Sequence, residues 1–364
     1  MREFDSVKKF AEESPELYKA FKDYADNVLA VERKVEGKVF SGVSLDDKEK
    51  VINKLFAEEV AKRAKVTVED YEGDYAHYAQ NPMVKSFADA IMDKMIDMIL
   101  PEMLNTSVGL IAEIDYVDWG DTAKFDLENN GLFNVSKAGY RQKNTTFQQL
   151  ENQTVTLAPE AHEVSVIATL FEILTGRKSI AKYVVKAVKS IEAEMATEAW
   201  DAFTTACSNS STPSALKVTN YTVDSAITLA EVVTAYNAGK KAVFAGTPLA
   251  LKAIQPHNAS ANFRYTLDDA MVKLGYIPQF MNYDVIPTPN FADYTSANYG
   301  LKLPNNKIYV VSPASDKIIK VAVGGTMTIP SGTYENANLA QTTTIMKGWA
   351  VGACTNSIAG VISL

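Results

Sequence analysis

Asp89, Asp93 and Asp97 recur at i, i+4 and i+8. On a helix such residues share one face, and carboxylates in a row are the raw material of a hard-cation site. A straight helical face does not converge on an ion as a calcium loop does, so the row is expected to be a solvated or partner-facing acidic stripe. His77, His162 and His257 stand far apart, none with metal-ligand spacing. Cys207 and Cys354 form neither a CxxC pair nor a disulfide framework, and both are expected to be small buried fillers. Gly324-Gly325 reads as a turn between strands, too short a glycine run to cradle a phosphate. The chain contains no GxGxxG, P-loop, HExxH or GxSxG pattern. The sequence thus assigns no catalytic, cofactor-binding or metal-binding residue, and no cofactor.

The elements that would have to position any site begin with composition. A chain of 364 residues with 47% hydrophobic and 22% charged residues suggests about two domains and has ample material for a core. Its net charge of −8 argues against tight coating of nucleic acid, which needs clustered Lys and Arg on phosphates. The opening MREFDSVKKFAEESPEL has no apolar run of signal-peptide type. Ala88 to Leu104 is interrupted by Asp89, Asp93, Lys94, Asp97, Pro101 and Glu102, too polar for a bilayer span. A soluble protein made in a cytoplasm is the expectation. Residues 1–105 hold 16 Lys/Arg and 22 Asp/Glu, against 20 and 22 in all the rest, which puts a boundary near Asn105.

Before that boundary the pattern is helical. Ser14-Pro15 predicts a cap and a first helical residue, and Leu17, Phe21, Tyr24, Val28, Val31 and Val35 form a seam that Gly37 stops. Ser44 predicts a capping box for a second helix with Val51, Leu55, Phe56 and Val60 on one face. Asn81-Pro82 opens a third, carrying Phe87, Ile91, Met95, Met98 and Ile99. From Ser107 the pattern turns strand-like. Leu110 to Tyr116 is a strand, and Lys124 to Leu127 leads to an Asn129-Asn130-Gly131 turn with a polar return through Tyr140 to Leu150. Too few apolar residues lie between Trp119 and Glu151 for a separate core, so the hairpin must lie on something else, a neighbouring subunit being the natural candidate. His162 to Leu170 alternates, with Val164, Val166, Ala168 and Leu170 on one side.

Lys178 to Ala206 reads as the longest helix, about 43 Å at 1.5 Å per residue. Its basic residues come first and its acidic residues last, against the macrodipole, which points to charges answered from another subunit. After SNSSTPSA (208–215) short helices and strands alternate. A helix is capped at Thr228 to Glu231, a strand covers Lys241 to Ala245, and Thr247-Pro248 opens another helix. Lys307 to Ser312 and Lys317 to Val323 are strands, and Thr342 to Leu364 reads as two more broken near Gly352. The fold class is α+β without a regular βαβ series.

This order of elements resembles the major capsid protein of tailed phages (Caudoviricetes), the Johnson fold. VTLAPEAHEVSVIATLFEILTGRKSIAKYVVKAVKSIEAEMATEAWDAF (Val155 to Phe203) is similar to that family's passage from extended loop to spine helix. VFAGTPLALKAI (Val243 to Ile254) with LGYIPQFMNYDVIPTPN (Leu274 to Asn290) is similar to its axial domain. KIYVVSPASDKIIKVAVGG and the closing KGWAVGACTNSIAGVISL resemble its peripheral-domain strands. The resemblance spans about residues 107–364 and rests on diffuse patterns rather than an invariant motif.

It implies residues 1–105 as a charged helical N-terminal arm or scaffold-like region, 106–160 as an extended β-hairpin loop, and 161–223 as a peripheral domain with spine helix 178–206. It further implies 224–305 as an axial domain and 306–364 as return strands, mainly peripheral. The implied function is a structural one: self-assembly, as hexamers and pentamers, into the icosahedral shell around a double-stranded DNA genome. Portal, scaffold or decoration proteins are implied partners, packaged DNA is touched weakly and without sequence specificity, and no membrane is involved. The implied place is the virion. In some members a segment like 1–105 is cut away and in others it stays; its presence from Met1 favours retention. Certain members link a loop lysine to a neighbour's asparagine. Lys124, Lys137 and Lys143 face that comparison with Asn336, Asn338 and Asn356, but both residue types are common enough to argue against a crosslink. An encapsulin-type shell enclosing enzymes is the alternative, and a cytosolic enzyme with scattered catalytic residues is a further one.

Overall fold

Helices come first because the leading third of the chain supplies them caps and apolar faces. In the computed structural model, which describes residues 4–32, 44–128, 151–167, 170–209, 212–254, 275–293, 299–330, 342–354 and 357–364, they are α1 (Asp5–Glu13), α2 (Pro15–Glu32), α3 (Leu45–Ala64), α4 (Tyr75–Gln80) and α5 (Pro82–Ser107). Ser44 caps α3 by accepting the Asp47 N–H, and Asn81 caps α5 by accepting that of Met83. Ser14 does something else with its hydroxyl, which donates to Glu59 at 2.6 Å and accepts from Arg63 at 2.9 Å. On α3 the buried face is Ile52, Phe56 and Val60, while Val51, expected on that face, is half exposed. Helix α5 is buried on nearly every side, from Val84 to Leu104. Such a helix belongs in the middle of a core, not on its surface.

The strands then begin with β1 (Ala112–Tyr116), β2 (Ala123–Glu128), β3 (Glu151–Leu157) and β4 (Glu160–Ile167). A short α6 (Leu170–Leu174) precedes the spine α7 (Ile180–Ser208), whose 29 residues begin two positions later than expected. Next come β5 (Lys217–Thr219), α8 (Val223–Tyr236), β6 (Val243–Gly246), α9 (Pro248–Leu251), β7 (Gln279–Phe280), β8 (Tyr283–Pro287), β9 (Ala292–Asp293) and β10 (Gly300–Leu301). The chain closes with β11 (Lys307–Val311), β12 (Ile319–Pro330), β13 (Thr342–Ala353) and β14 (Gly360–Ser363). Thr247 caps α9 as expected. The cap of α8 is Thr222 with Ser225, six residues ahead of Thr228, which lies inside the helix.

Two sheets organise the molecule. In the first, the order β1-β12-β13-β4 joins a parallel pair (Ala112 opposite Ile319) to two antiparallel ones. Helices α5 and α7 pack together, α5 against β12 and α7 against β13. One continuous core runs from Phe4 and Phe10 through Ile91 and Met95 to Ile191, Trp200 and Val321. The second sheet, β5-β14-β11-β6-β8-β7, carries α8 and α9 over its own cluster around Leu229, Phe244, Leu251 and Ile308. The class is mixed α+β, as expected.

Several boundaries moved for physical reasons. Gly324-Gly325 is not a turn but a bulge inside the long β12, where register shifts between Val323 and Thr326. Gly352 sits inside β13, and the break between the last two strands falls later. Strands meet closely at Gly352, where a Cβ would stand 3.0 Å from a Leu157 methyl, whereas one on Gly324 or Gly325 would make only ordinary contacts. Gly37, the 129–131 turn, the return through 140–150, Lys137, Lys143, His257, Asn336, Asn338 and Asn356 lie outside the described residues.

Candidate functional site

The acidic row is the first feature whose place differs from expectation. Asp89 and Asp97 are buried, and Asp93 is partly so. Asp93 accepts the Thr328 N–H at 3.1 Å and the Thr328 hydroxyl at 2.5 Å. Asp97 does the same for Thr326, and also takes the Lys347 ammonium at 2.5 Å. The match has a simple geometric cause. Four residues of helix advance about 6 Å and two residues of strand about 6.8 Å, so i, i+4 carboxylates keep step with i, i+2 threonines. One step further along β12 stands Pro330, which has no N–H to give, and the Asp89 Oδ2 is buried without a hydrogen-bond partner. Burial, reinforced by Asp93 and opposed by Lys85, pushes the Asp89 carboxyl up to about 7. Burial likewise lifts Asp93 to about 6 against the Thr328 hydrogen bonds that pull it down. The row is a helix-to-sheet joint and not a solvated stripe.

Lys347 was missed, although the sequence carries a signal. It alternates with Ile345 and Trp349 in β13, and both are buried, so it had to share their face. It is 1% exposed, with its ammonium 4.5 Å from the centre of the Phe4 ring. Burial lowers its pKa, and Asp97 pulls the other way. A second buried lysine, Lys320, faces the opposite side of the sheet with Ala322. It is held by Glu113 at 2.5 Å and by Asp316, with the Phe125 ring 5.8 Å away. Burial works against that cation, but the bonds to Asp316 and Glu113 outweigh it and hold its pKa above the usual lysine value.

Phe125 belongs to the hairpin. Strands β2 and β3 pair antiparallel from Ala123 opposite Leu157. Ala123 and Phe125 pack on Ala322, with Leu157 and Ala350 beside them. The described base of the hairpin therefore lies on its own chain's sheet, while residues 129–150, the rest of the expected hairpin, lie outside the described residues. Several of the charges assigned to the spine find partners within the chain: Lys178 with Glu172, Lys182 with Asp46 and Glu49, and Glu194 with Lys302. Glu198 accepts from the Trp349 indole at 2.8 Å.

His162 stacks on Trp349 at 3.5 Å, and His77 pairs with Asp74. Cys207 is buried, its thiol pushed up to about 12 by that burial, whereas Cys354 is partly exposed rather than a core filler. Among the described residues no group of three or more His, Cys, Asp or Glu could hold a metal. No described helix is long and apolar enough to cross a membrane. A cleft of about 460 Å³ lies where β1 meets the loop before β12, lined by Glu113, Asp126, Lys240, Asp316 and Lys317 among others. Its charges have structural employment: Glu113 and Asp316 hold Lys320, and Lys317 donates to the Gly109 carbonyl. What the surface does offer is exposed apolar side chains on the second sheet's unit, Tyr236, Leu249 and Met281, and on the β9–β10 ribbon, Tyr299 and Leu301.

Among the described residues the buried Asp97, Lys320 and Lys347 are engaged in joints between the chain's own elements. The family model described as "SPbeta prophage-derived putative capsid protein YonB" matches residues 28–363, and the chain belongs to that family. It is a capsid-protein family, structural and not enzymatic, in keeping with the expected phage capsid protein. No curated protein sequence matches the chain. Among solved structures, the chain is similar to the mature capsid of bacteriophage PhiM1, at 11% identity over 70% of this chain and 86% of that one, with a TM-score of 0.43. It is similar to the capsid of cyanophage P-SCSP1u at 9% identity, over 71% and 88%, with a TM-score of 0.45. It is also similar to the SrpI encapsulin of Synechococcus elongatus PCC 7942 at 12% identity, over 70% and 85%, with a TM-score of 0.42.

Proposed function

We propose that the chain is a major capsid protein that assembles, as hexamers and pentamers, into the icosahedral head of a tailed phage and encloses its double-stranded DNA. The observation that carries this reading is the capsid-family match over residues 28–363, nearly the whole chain. The physics is in keeping with it. A closed shell sums many modest contacts between identical subunits and asks for no reactive group. The region after residue 105 is sparse in charge, as surfaces buried between subunits are. A net charge of −8 suits a lumen that holds DNA without gripping it. On this reading the protein is a virion component made in the host cytoplasm. Portal, scaffold and decoration proteins are its further partners.

Particles from cells carrying the complete phage gene cluster test the contents. Nuclease-protected double-stranded DNA inside shells of this chain is the expected result. Shells filled with a host enzyme and free of DNA would assign it to the encapsulin class instead.

A further inference from the structure

The first third of the chain is tied to the rest by bonds that cannot be removed cheaply. The buried Lys347 cation has two neighbours that answer its charge, the Asp97 carboxylate and the face of the Phe4 ring, and both belong to the N-terminal helical region. Thr326 and Thr328, at the bulged centre of β12, give their N–H and hydroxyl groups to Asp97 and Asp93. The spine helix depends on the same region for its start. Asn53 of α3 accepts the Ile180 N–H at 3.0 Å and donates to the Lys178 carbonyl at 3.0 Å. Lower down, the Trp200 indole donates to the Ser107 carbonyl. Take residues 4–107 away and a cation is stranded in apolar surroundings, a strand's donors are left open, and one side of the spine is bared.

We propose that the described N-terminal residues, 4–32 and 44–107, are a permanent layer of the shell subunit, folded against the spine and the first sheet, and not an arm or an excisable scaffold. This rests on the shell reading, since it concerns the form in which the subunit enters the particle. It also assigns α5 a role its acidic row alone would not suggest: it is the joint between the N-terminal layer and the β12–β13 pair.

Two measurements decide it. Particles made by the complete gene cluster are dissolved and their shell subunit is quantified by peptide mass spectrometry. Peptides from α1, α3 and α5 are expected in equal molar amount to those of α7 and β13; a shell subunit that lacks them overturns the proposal. The second uses the purified full-length chain, whatever its state of assembly. It is nicked briefly with trypsin, and the products are separated without denaturant. Every N-terminal piece is expected to co-elute with the spine fragment. A stable fragment beginning near residue 108, free of the N-terminal pieces, would overturn the proposal. If the full-length chain forms no particle at all, the shell reading fails, while the trypsin result still judges the layer.

Discussion

The Lys347 ammonium lies 2.5 Å from the Asp97 carboxylate across 250 positions of sequence, and only 1% of the lysine side chain is exposed. Stranding one member of such a pair costs about 3–5 kcal/mol, whereas replacing both by apolar residues of similar volume is often neutral. Asp97→Ala is therefore expected to lower unfolding free energy by about that amount. The double variant Asp97→Leu with Lys347→Met recovers the part of the loss due to the stranded cation, while the Thr326 N–H and hydroxyl stay without their acceptor. Urea denaturation of the two, followed by circular dichroism, checks the difference.

Asp89 and Asp93 have folded-state pKa values near 7 and 6, raised above the usual carboxylate value. A carboxyl that is harder to ionise when folded binds its proton more tightly in the native state. Its contribution is thus fully favourable below pH 4 and declines as pH rises toward 7. Asp89→Asn removes one of these groups. Relative to the parent, the variant's thermal midpoint is expected to rise more at pH 8 than at pH 5. An equal shift at both pH values would dismiss the assignment.

Asn53 bonds both the Lys178 carbonyl and the Ile180 N–H at the spine's first turn. Asn53→Ala is expected to cost about 1–2 kcal/mol, since it removes two hydrogen bonds worth about 0.5–1.5 kcal/mol each while the Ser179 cap stays. Amide exchange should quicken at Ile180 and Ala181 while Phe203, at the far end of the same helix, is left unchanged.

Gly360 begins β14 where a Cβ would stand 2.5 Å from the Leu229 Cδ1. Gly360→Ala overpacks the contact between α8 and the second sheet, at a cost of about 1–3 kcal/mol. Gly73, with open space around its Cα, serves as the control for crowding. Its positive φ of 80° makes Gly73→Ala a backbone-strain case instead. Leu229→Ala costs about 2–5 kcal/mol by itself, but in its background Gly360→Ala should lose most of its penalty while Gly73→Ala keeps its own, as urea unfolding of the set would show.

Much of this architecture was legible in the residues. Caps at Ser44, Asn81 and Thr247 lie where polar side chains precede helical patterns, and local chemistry decides them, whereas the spine's cap, Ser179, falls inside the stretch that the periodicity assigns to the helix. The spine was plain from periodicity. What escaped reading was set by distant neighbours. Nothing near Asp93 or Asp97 announces that Thr326, Thr328 and Lys347 lie opposite, because the partners come from strands more than 200 positions away. The glycines at 324 and 325 look like a turn to any local reading, and only the pairing with β13 makes them a bulge. The spine's inverted charge order suggested another subunit for the same reason: its partners at Glu49 and Lys302 are remote in sequence yet close in the fold.

The most direct test of the central claim is negative-stain electron microscopy of the purified full-length chain beside its sedimentation profile. Closed shells, tubes, or hexameric and pentameric capsomers are the predicted result. Only small uniform particles, even with candidate scaffold proteins co-expressed, would contradict a shell-forming function and return attention to a cytosolic enzyme.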